Sequence, residues 1–129
     1  MQHTMISQYH FKFEELHVYQ KAIEFGELVH SQIAAFPKIE DYRLSAQFAR
    51  AANSISFNIA EGSGSSDASF LNYPRISRDS SREGLTATTK ALVRNYITLE
   101  QCEKNRGLLV EINKMLAALM KHLNNKNSP

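Results

Sequence analysis

"TLEQCEKNRGLLVEINKMLAALMKHL", Thr98 to Leu123, decides the fold of this 129-residue chain. Cys102, Asn105, Leu109, Ile112, Leu116, Leu119 and Leu123 recur at alternating spacings of three and four. That is the heptad seam of a helix packed along its length. Thr98 and Gln101 precede the seam at capping-box spacing, where side chain and backbone cap each other.

Reading outward toward the N-terminus, three more helical segments appear. One is predicted from about Ser66 to Arg94, with Phe70, Tyr73, Ile76, Ser77, Ser80, Gly84, Ala87, Thr88 and Ala91 on one side. Most are small, so a neighbouring helix can come close but gains little hydrophobic energy. Pro74 lies within this segment and should kink the helix or delay its regular start. Another is predicted from about Asp41 to Glu61. Leu44, Phe48, Ala51, Ala52, Ile55 and Ile59 share one face, and Ala46, Ala49, Asn53, Phe57 and Ala60 the other. A helix apolar on two sides is usually buried on two sides, which suggests a contact between subunits. Gly62 follows as a left-handed C-cap. The first segment is predicted from about Phe13 to Phe36, with a stripe of Tyr19, Ala22, Ile23, Gly26, Val29, Ile33 and Phe36, and Pro37 ends it. No strand-like alternation competes. Short connections between long helices favour antiparallel neighbours, so the fold class is all-α, an antiparallel up-down four-helix bundle. The expected organisation is a flexible segment over 1–12, the bundle over 13–123 and a frayed tail over 124–129.

Composition excludes several function classes. No stretch approaches the roughly 20 apolar residues of a membrane span, and "MQHTMISQYHFKF" lacks the run of a signal peptide. A single cysteine, Cys102, forbids an intrachain disulfide and suits the cytoplasm. It lies on the seam of the fourth helix and reads as a buried small apolar residue. The net charge of +2 is too low to announce nucleic-acid binding, so any basic surface must come from clustering.

Catalytic and cofactor chemistry finds no support. "GSGSS", Gly62 to Ser66, looks like a phosphate cradle but lacks the Lys-Ser/Thr of a P-loop and the strand that precedes one. It reads as a turn, with Ser66 as the N-cap of the third helix. Glu14 with His17 and Glu27 with His30 make two Glu-x-x-His pairs, the motif of di-iron bundles. Both fall on the first helix, roughly 20 Å apart, so they cannot share one metal centre in a monomer. No metal, cofactor or catalytic residue is expected, and the protein reads as no enzyme.

The basic residues are more informative. Arg75, Arg78 and Arg82 follow helical spacing opposite the small-residue face, and Lys90 and Arg94 extend the charge. Such a stripe can track phosphates. Asp79 stands at ion-pair spacing from Arg75 and Arg82, with Glu83 beside them and Leu71, Leu85 and Leu92 near. The same face therefore also reads as a protein contact.

Three stretches carry a family resemblance: "FEELHVYQKA" (Phe13 to Ala22), "FPKIEDYRLSAQFARAANSISFNIAEGSG" (Phe36 to Gly64) and "RNYIT" (Arg94 to Thr98). Together they resemble four-helix-bundle proteins of the 23S rRNA intervening-sequence type, over about Phe13 to Leu123. The core signature is carried by Arg50, Ala51, Ala52, Ser54, Ile55, Asn58, Ile59, Ala60, Glu61 and Gly62. Arg50, Ser54, Asn58 and Glu61 lie along one polar edge, suited to bonding a neighbouring helix, loop or subunit. The resemblance implies a homopentamer. Some relatives are encoded within intervening sequences of bacterial rRNA genes, and a related group is the accessory variability determinant of diversity-generating retroelements, which binds nucleic acid and a reverse transcriptase. It implies no catalytic residues. The sequence departs from the pattern in its third helix, where Pro74 and Arg78 replace apolar residues and Ser69 stands where a glutamate would complete a capping box with Ser66. The resulting expectation is a self-associating scaffold for RNA or a nucleic-acid enzyme. The alternative is a protein-interaction module that binds no nucleic acid.

Overall fold

The computed structural model describes residues 7–63 and 71–126. Four helices run in chain order: α1 (His17–Ile33), α2 (Leu44–Ser63), α3 (Asn72–Val93) and α4 (Leu99–Lys126). Single 3₁₀ turns at Lys12–Glu15 and Lys38–Glu40 precede α1 and α2. Among the described residues there is no strand. Each helix lies against its sequential neighbours, and α4 closes back onto α1. The result is the up-down bundle that short connections between long helices favour.

The α4 seam is as its periodicity dictates. Cys102, Asn105, Leu109, Ile112, Leu116 and Leu123 are buried, joined by Leu108, and Leu119 is partly buried. The start is capped reciprocally. The Gln101 amide donates to Thr98 Oγ1 at 3.0 Å, and the Thr98 amide donates to Gln101 Oε1 at 2.8 Å. The helix continues through Lys126, past the expected onset of the tail at 124.

The stripe of α1 is turned relative to the expected one. Its buried residues are Val18, Ala22, Phe25, Val29 and Gln32, not Tyr19, Ile23, Gly26 and Ile33. A count of apolar residues passes over Gln32, which belongs inside because α4 offers it a partner. Gln32 Nε2 donates to Asn105 Oδ1 at 2.8 Å, and Asn105 Nδ2 donates to Gln32 Oε1 at 2.8 Å. Thr88 Oγ1 on α3 lies 3.4 Å from the same Nδ2. Three helices thus meet in one polar layer whose buried amides are satisfied. The helix also starts later than expected, because Lys12–Glu15 form a separate 3₁₀ turn, with Glu14 Oε1 accepting from the Phe11 amide at 2.8 Å. At the other end, α1 closes at Ile33, and Phe36 reaches the core from the following turn, 5.1 Å from the Tyr96 ring.

The inner face of α2 is the expected one: Leu44, Phe48, Ala51, Ala52, Ile55 and Ile59 are buried. The outer face is uncovered in the single chain, and Phe57 is 67% exposed there. Gly62 departs from expectation. It is no left-handed cap, because α2 runs on through Ser63 and no described glycine has positive φ. A Cβ added at Gly62 would stand 2.9 Å from Tyr73 Cβ. Glycine is needed here for proximity to α3, not for its dihedral freedom.

Helix α3 packs through small residues. Ser77, Ser80, Ser81, Gly84, Ala87, Thr88 and Ala91 are buried, while Ile76 is 43% exposed. The hydroxyls are paired: Ser77 Oγ donates to the Ile55 carbonyl at 3.0 Å, and Ser81 Oγ to Asn113 Oδ1 at 2.6 Å. A Cβ on Gly84 would meet the Phe25 ring at 3.3 Å, so its absence seats a fully buried core ring. Pro74 sits at the start of α3 and not in its interior. It falls in the first turn, where backbone N–H groups have no helical acceptor to lose. The expected Ser66 cap, the Gly64–Ser66 half of the turn, Ser69 and Phe70 lie outside the described residues.

"RNYIT" makes the α3–α4 corner. Asn95 is left-handed at φ 62°. The Tyr96 amide donates to Ala91 O at 2.8 Å and the Asn95 amide to Leu92 O at 3.0 Å. These two bonds define a Schellman cap with Asn95 at the position glycine usually takes, a conformation that asparagine tolerates. Ile97 is buried and Thr98 caps the next helix.

Replacing Gly62 with alanine should lower stability by about 1–3 kcal/mol through overpacking. The check is a lower urea midpoint with an unchanged slope.

Candidate functional site

The polar edge of α2 divides into two parts. Asn58 Nδ2 donates to the Ser54 carbonyl at 2.8 Å and to Ser54 Oγ at 3.0 Å. Ser80 Oγ on α3 donates to Ser54 Oγ at 2.8 Å. Ser54 and Gly62 therefore join α2 to α3, and Asn58 fixes Ser54 from within α2. Arg50 and Glu61 instead face solvent. The Arg50 side chain is 71% exposed, and its nearest carboxylate, Glu83 Oε2, lies 3.9 Å from Nη2.

The α3 cations occupy distinct environments. Arg75 and Lys90 are exposed. Arg82 is 70% exposed and lies 3.8 Å from Asp79 Oδ1. Arg78 is half-buried, its Nε 4.0 Å from the same oxygen and without a hydrogen-bond partner among the described residues. Arg94 is drawn away from the group into a short ion pair with Glu40 Oε2 at 2.9 Å.

Arg50, Arg82 and Lys90 converge on a groove of about 350 Å³ between α2 and α3, which the linear spacing of the α3 cations does not reveal. Leu44, Ala87, Gln47, Thr86 and Glu83 complete it. Three cations stand there against Glu83 in the groove and Asp79 beside Arg82. The opposite side of the molecule is different. Lys21 of α1 reaches Glu111 of α4 at 3.3 Å, and Lys104 of α4 reaches Glu24 of α1 at 3.7 Å. Ion pairs thus cross the α1–α4 seam, while at the α2–α3 groove Arg50 and Arg82 lie 3.9 and 3.8 Å from a carboxylate and Lys90 has no ion pair among the described residues.

A second polar cluster joins two of the quoted stretches that sequence spacing could not connect. Glu40 is buried at the end of its 3₁₀ turn. Its Oε2 accepts from the Tyr96 hydroxyl at 2.8 Å and from Arg94, and its Oε1 faces the Leu44 amide at 3.4 Å. The Tyr96 hydrogen bond, with help from the Leu44 amide and the Arg94 charge, holds the carboxyl below its ordinary pKa although burial opposes this. The same bond, burial and the Glu40 charge raise the Tyr96 phenol. The cluster ties the α1–α2 corner to the α3–α4 corner and leaves no open site for chemistry.

The Glu-x-x-His pairs are not assembled into a site. Glu14 belongs to the turn before α1, and His17, Glu27 and His30 are exposed along α1. Among the described residues, no three His, Cys, Asp or Glu side chains gather closely enough to hold a metal. Cys102 is 2% exposed within the core.

The sequence matches the family described as 23S rRNA-intervening sequence protein over residues 14–118. Among solved structures, the fold is similar to a protein of unknown function from the S23 ribosomal protein family of Bacteroides thetaiotaomicron VPI-5482. The TM-score is 0.72 at 29% identity, covering 81% of this chain and 95% of that one. No curated protein matches the sequence significantly.

Because the native Glu40 pKa is depressed, its contribution to stability is complete above about pH 5 and is lost as pH falls through the native value. Glu40→Gln should lower the urea midpoint at pH 7 and flatten its decline on acidification. Midpoints measured from about pH 7 down to pH 3 check both.

Proposed function

The chain belongs to the 23S rRNA-intervening sequence protein family, and on that premise we propose that it is a non-enzymatic, self-associating scaffold whose basic α3 side contacts RNA. The observation that carries this is the gathering of three exposed cations on one groove. Arg50 and Arg82 are about 70% exposed at 3.9 and 3.8 Å from Glu83 and Asp79, and Lys90 has no ion pair among the described residues. Exposed, loosely paired guanidinium groups are the chemistry that neutralises phosphates. Self-association is supported by the outer face of α2, where Ala46, Ala49, Asn53 and Ala60 surround the exposed Phe57. The homopentamer expected from the family resemblance would repeat the basic side in each subunit, so that weak contacts act together. No described helix is long and apolar enough to cross a membrane, and a lone buried thiol suits the cytoplasm where we place it.

A second reading has its own observation. Arg78 is half-buried and Ile76 is partly exposed on the same helix, a mixture that also fits a protein contact. In that case the protein is an interaction module without nucleic acid, and the arginines join subunits or a partner protein.

Titrating the native assembly against labelled RNA should give binding at low salt, with log affinity falling linearly as log salt rises. No binding at low salt overturns the RNA reading. A double variant, Arg78→Glu with Arg82→Glu, separates the two. An intact assembly in sedimentation that no longer binds RNA supports the first, and loss of assembly supports the second.

A further inference from the structure

The α2–α3 groove has a shape as well as a charge. Helices α2 and α3 are antiparallel neighbours, so Leu44 and Gln47 near the start of α2 stand beside Lys90 toward the end of α3. Arg50 stands opposite Glu83, one residue beyond Arg82. Along α3, Arg82, Thr86 and Lys90 follow one another at intervals of four, so the two cations lie about 12 Å apart on one line. Leu44 and Ala87, both buried, contribute its apolar lining. Thr86 Oγ1 donates to the Arg82 carbonyl. Tyr42, two residues before Leu44 in the chain, is 97% exposed. Fully exposed tyrosine contributes nothing to the core.

We propose that this groove seats the backbone of a single RNA strand, with Arg50 and Arg82 flanking one phosphate, Lys90 meeting another farther along, and Tyr42 stacking a base. This rests on the RNA-contact reading of α3 and specifies the ligand. The cations of α3 run in one line about 12 Å long, a track that follows the backbone of one strand. A cationic track with an exposed ring is the combination that binds single strands without reading sequence. Glu83 faces Arg50 within the groove and Asp79 lies 3.8 Å from Arg82, so a phosphate must compete with a carboxylate for each guanidinium.

The test is fluorescence anisotropy with a labelled oligouridylate of about twelve nucleotides at ~50 mM salt. Arg50→Gln and Arg82→Gln should each weaken binding roughly tenfold and reduce the salt slope by about 0.7 for each phosphate that is no longer neutralised. Tyr42→Ala should weaken it about fivefold or more with an unchanged slope. Arg106→Gln, on α4 away from the groove, should leave binding nearly unchanged. All four side chains are exposed, and unchanged circular dichroism confirms that each variant folds. The groove is overturned if Arg106→Gln costs as much as Arg82→Gln, if Tyr42→Ala costs nothing, or if duplex RNA binds as tightly as the single strand. It is equally overturned if a polyglutamate peptide displaces the strand at equal charge concentration, which would assign the groove to an acidic protein. Failure of the unaltered protein to bind any RNA removes the underlying reading instead.

Discussion

The close approach of α2 and α3 is the constraint on which the rest of the structure depends. Helix α3 brings almost no large apolar side chain to the interior, so it cannot be held by area alone. It is held by distance. Gly62 faces Tyr73 with no room for a Cβ, and Gly84 leaves space for the Phe25 ring. At that distance Ser77 reaches a backbone carbonyl of α2, and Ser80 reaches Ser54. Each hydroxyl needs a partner once buried, and short helix separation supplies it. The large side chains, Phe25, Phe48 and Ile55, come from α1 and α2 and fill the space that α3 leaves.

Polar groups fix the geometry that hydrophobic burial leaves open. The Gln32–Asn105 amide pair is satisfied at only one axial register of α1 against α4, and Thr88 ties α3 to the same level. At one end, Glu40 gathers Tyr96 and Arg94 and locks the two corners together. The interior and the corners take up these polar groups. Arg50, Arg82 and Lys90 then remain on the α2–α3 surface. A functional reading therefore falls on that seam and not on the histidines or the cysteine.

How much of this is legible in the sequence differs by helix. On α4 the heptad of aliphatic residues is unambiguous, and the Thr98–Gln101 cap follows from spacing. On α1 the apolar residues outnumber one stripe, so Tyr19 and Ile23 compete with Val18 and Phe25, and only the partner of Gln32 resolves the rotation. Gly62 reads as a cap because a glycine followed by "SGSS" has the local chemistry of a helix stop. Its true constraint is a contact with Tyr73, 11 positions away. Among the candidate cations, the i, i+3, i+4 spacing of the α3 arginines is visible. The convergence of Arg50 with Arg82 and Lys90 is not, because they stand on different helices. Nor can spacing show that Arg94 is taken by Glu40.

By itself, the sequence determined the all-α class, the four helices, the inner faces of α2 and α4, and the family. Each is written in local periodicity, capping residues or a contiguous motif, and needs no knowledge of distant contacts. The tertiary structure alone decided the rotation of α1, the reason for Gly62, the Glu40–Arg94–Tyr96 lock and the basic groove. Those depend on pairs of residues far apart in the chain, whose meeting is set by how closely α2 and α3 pack.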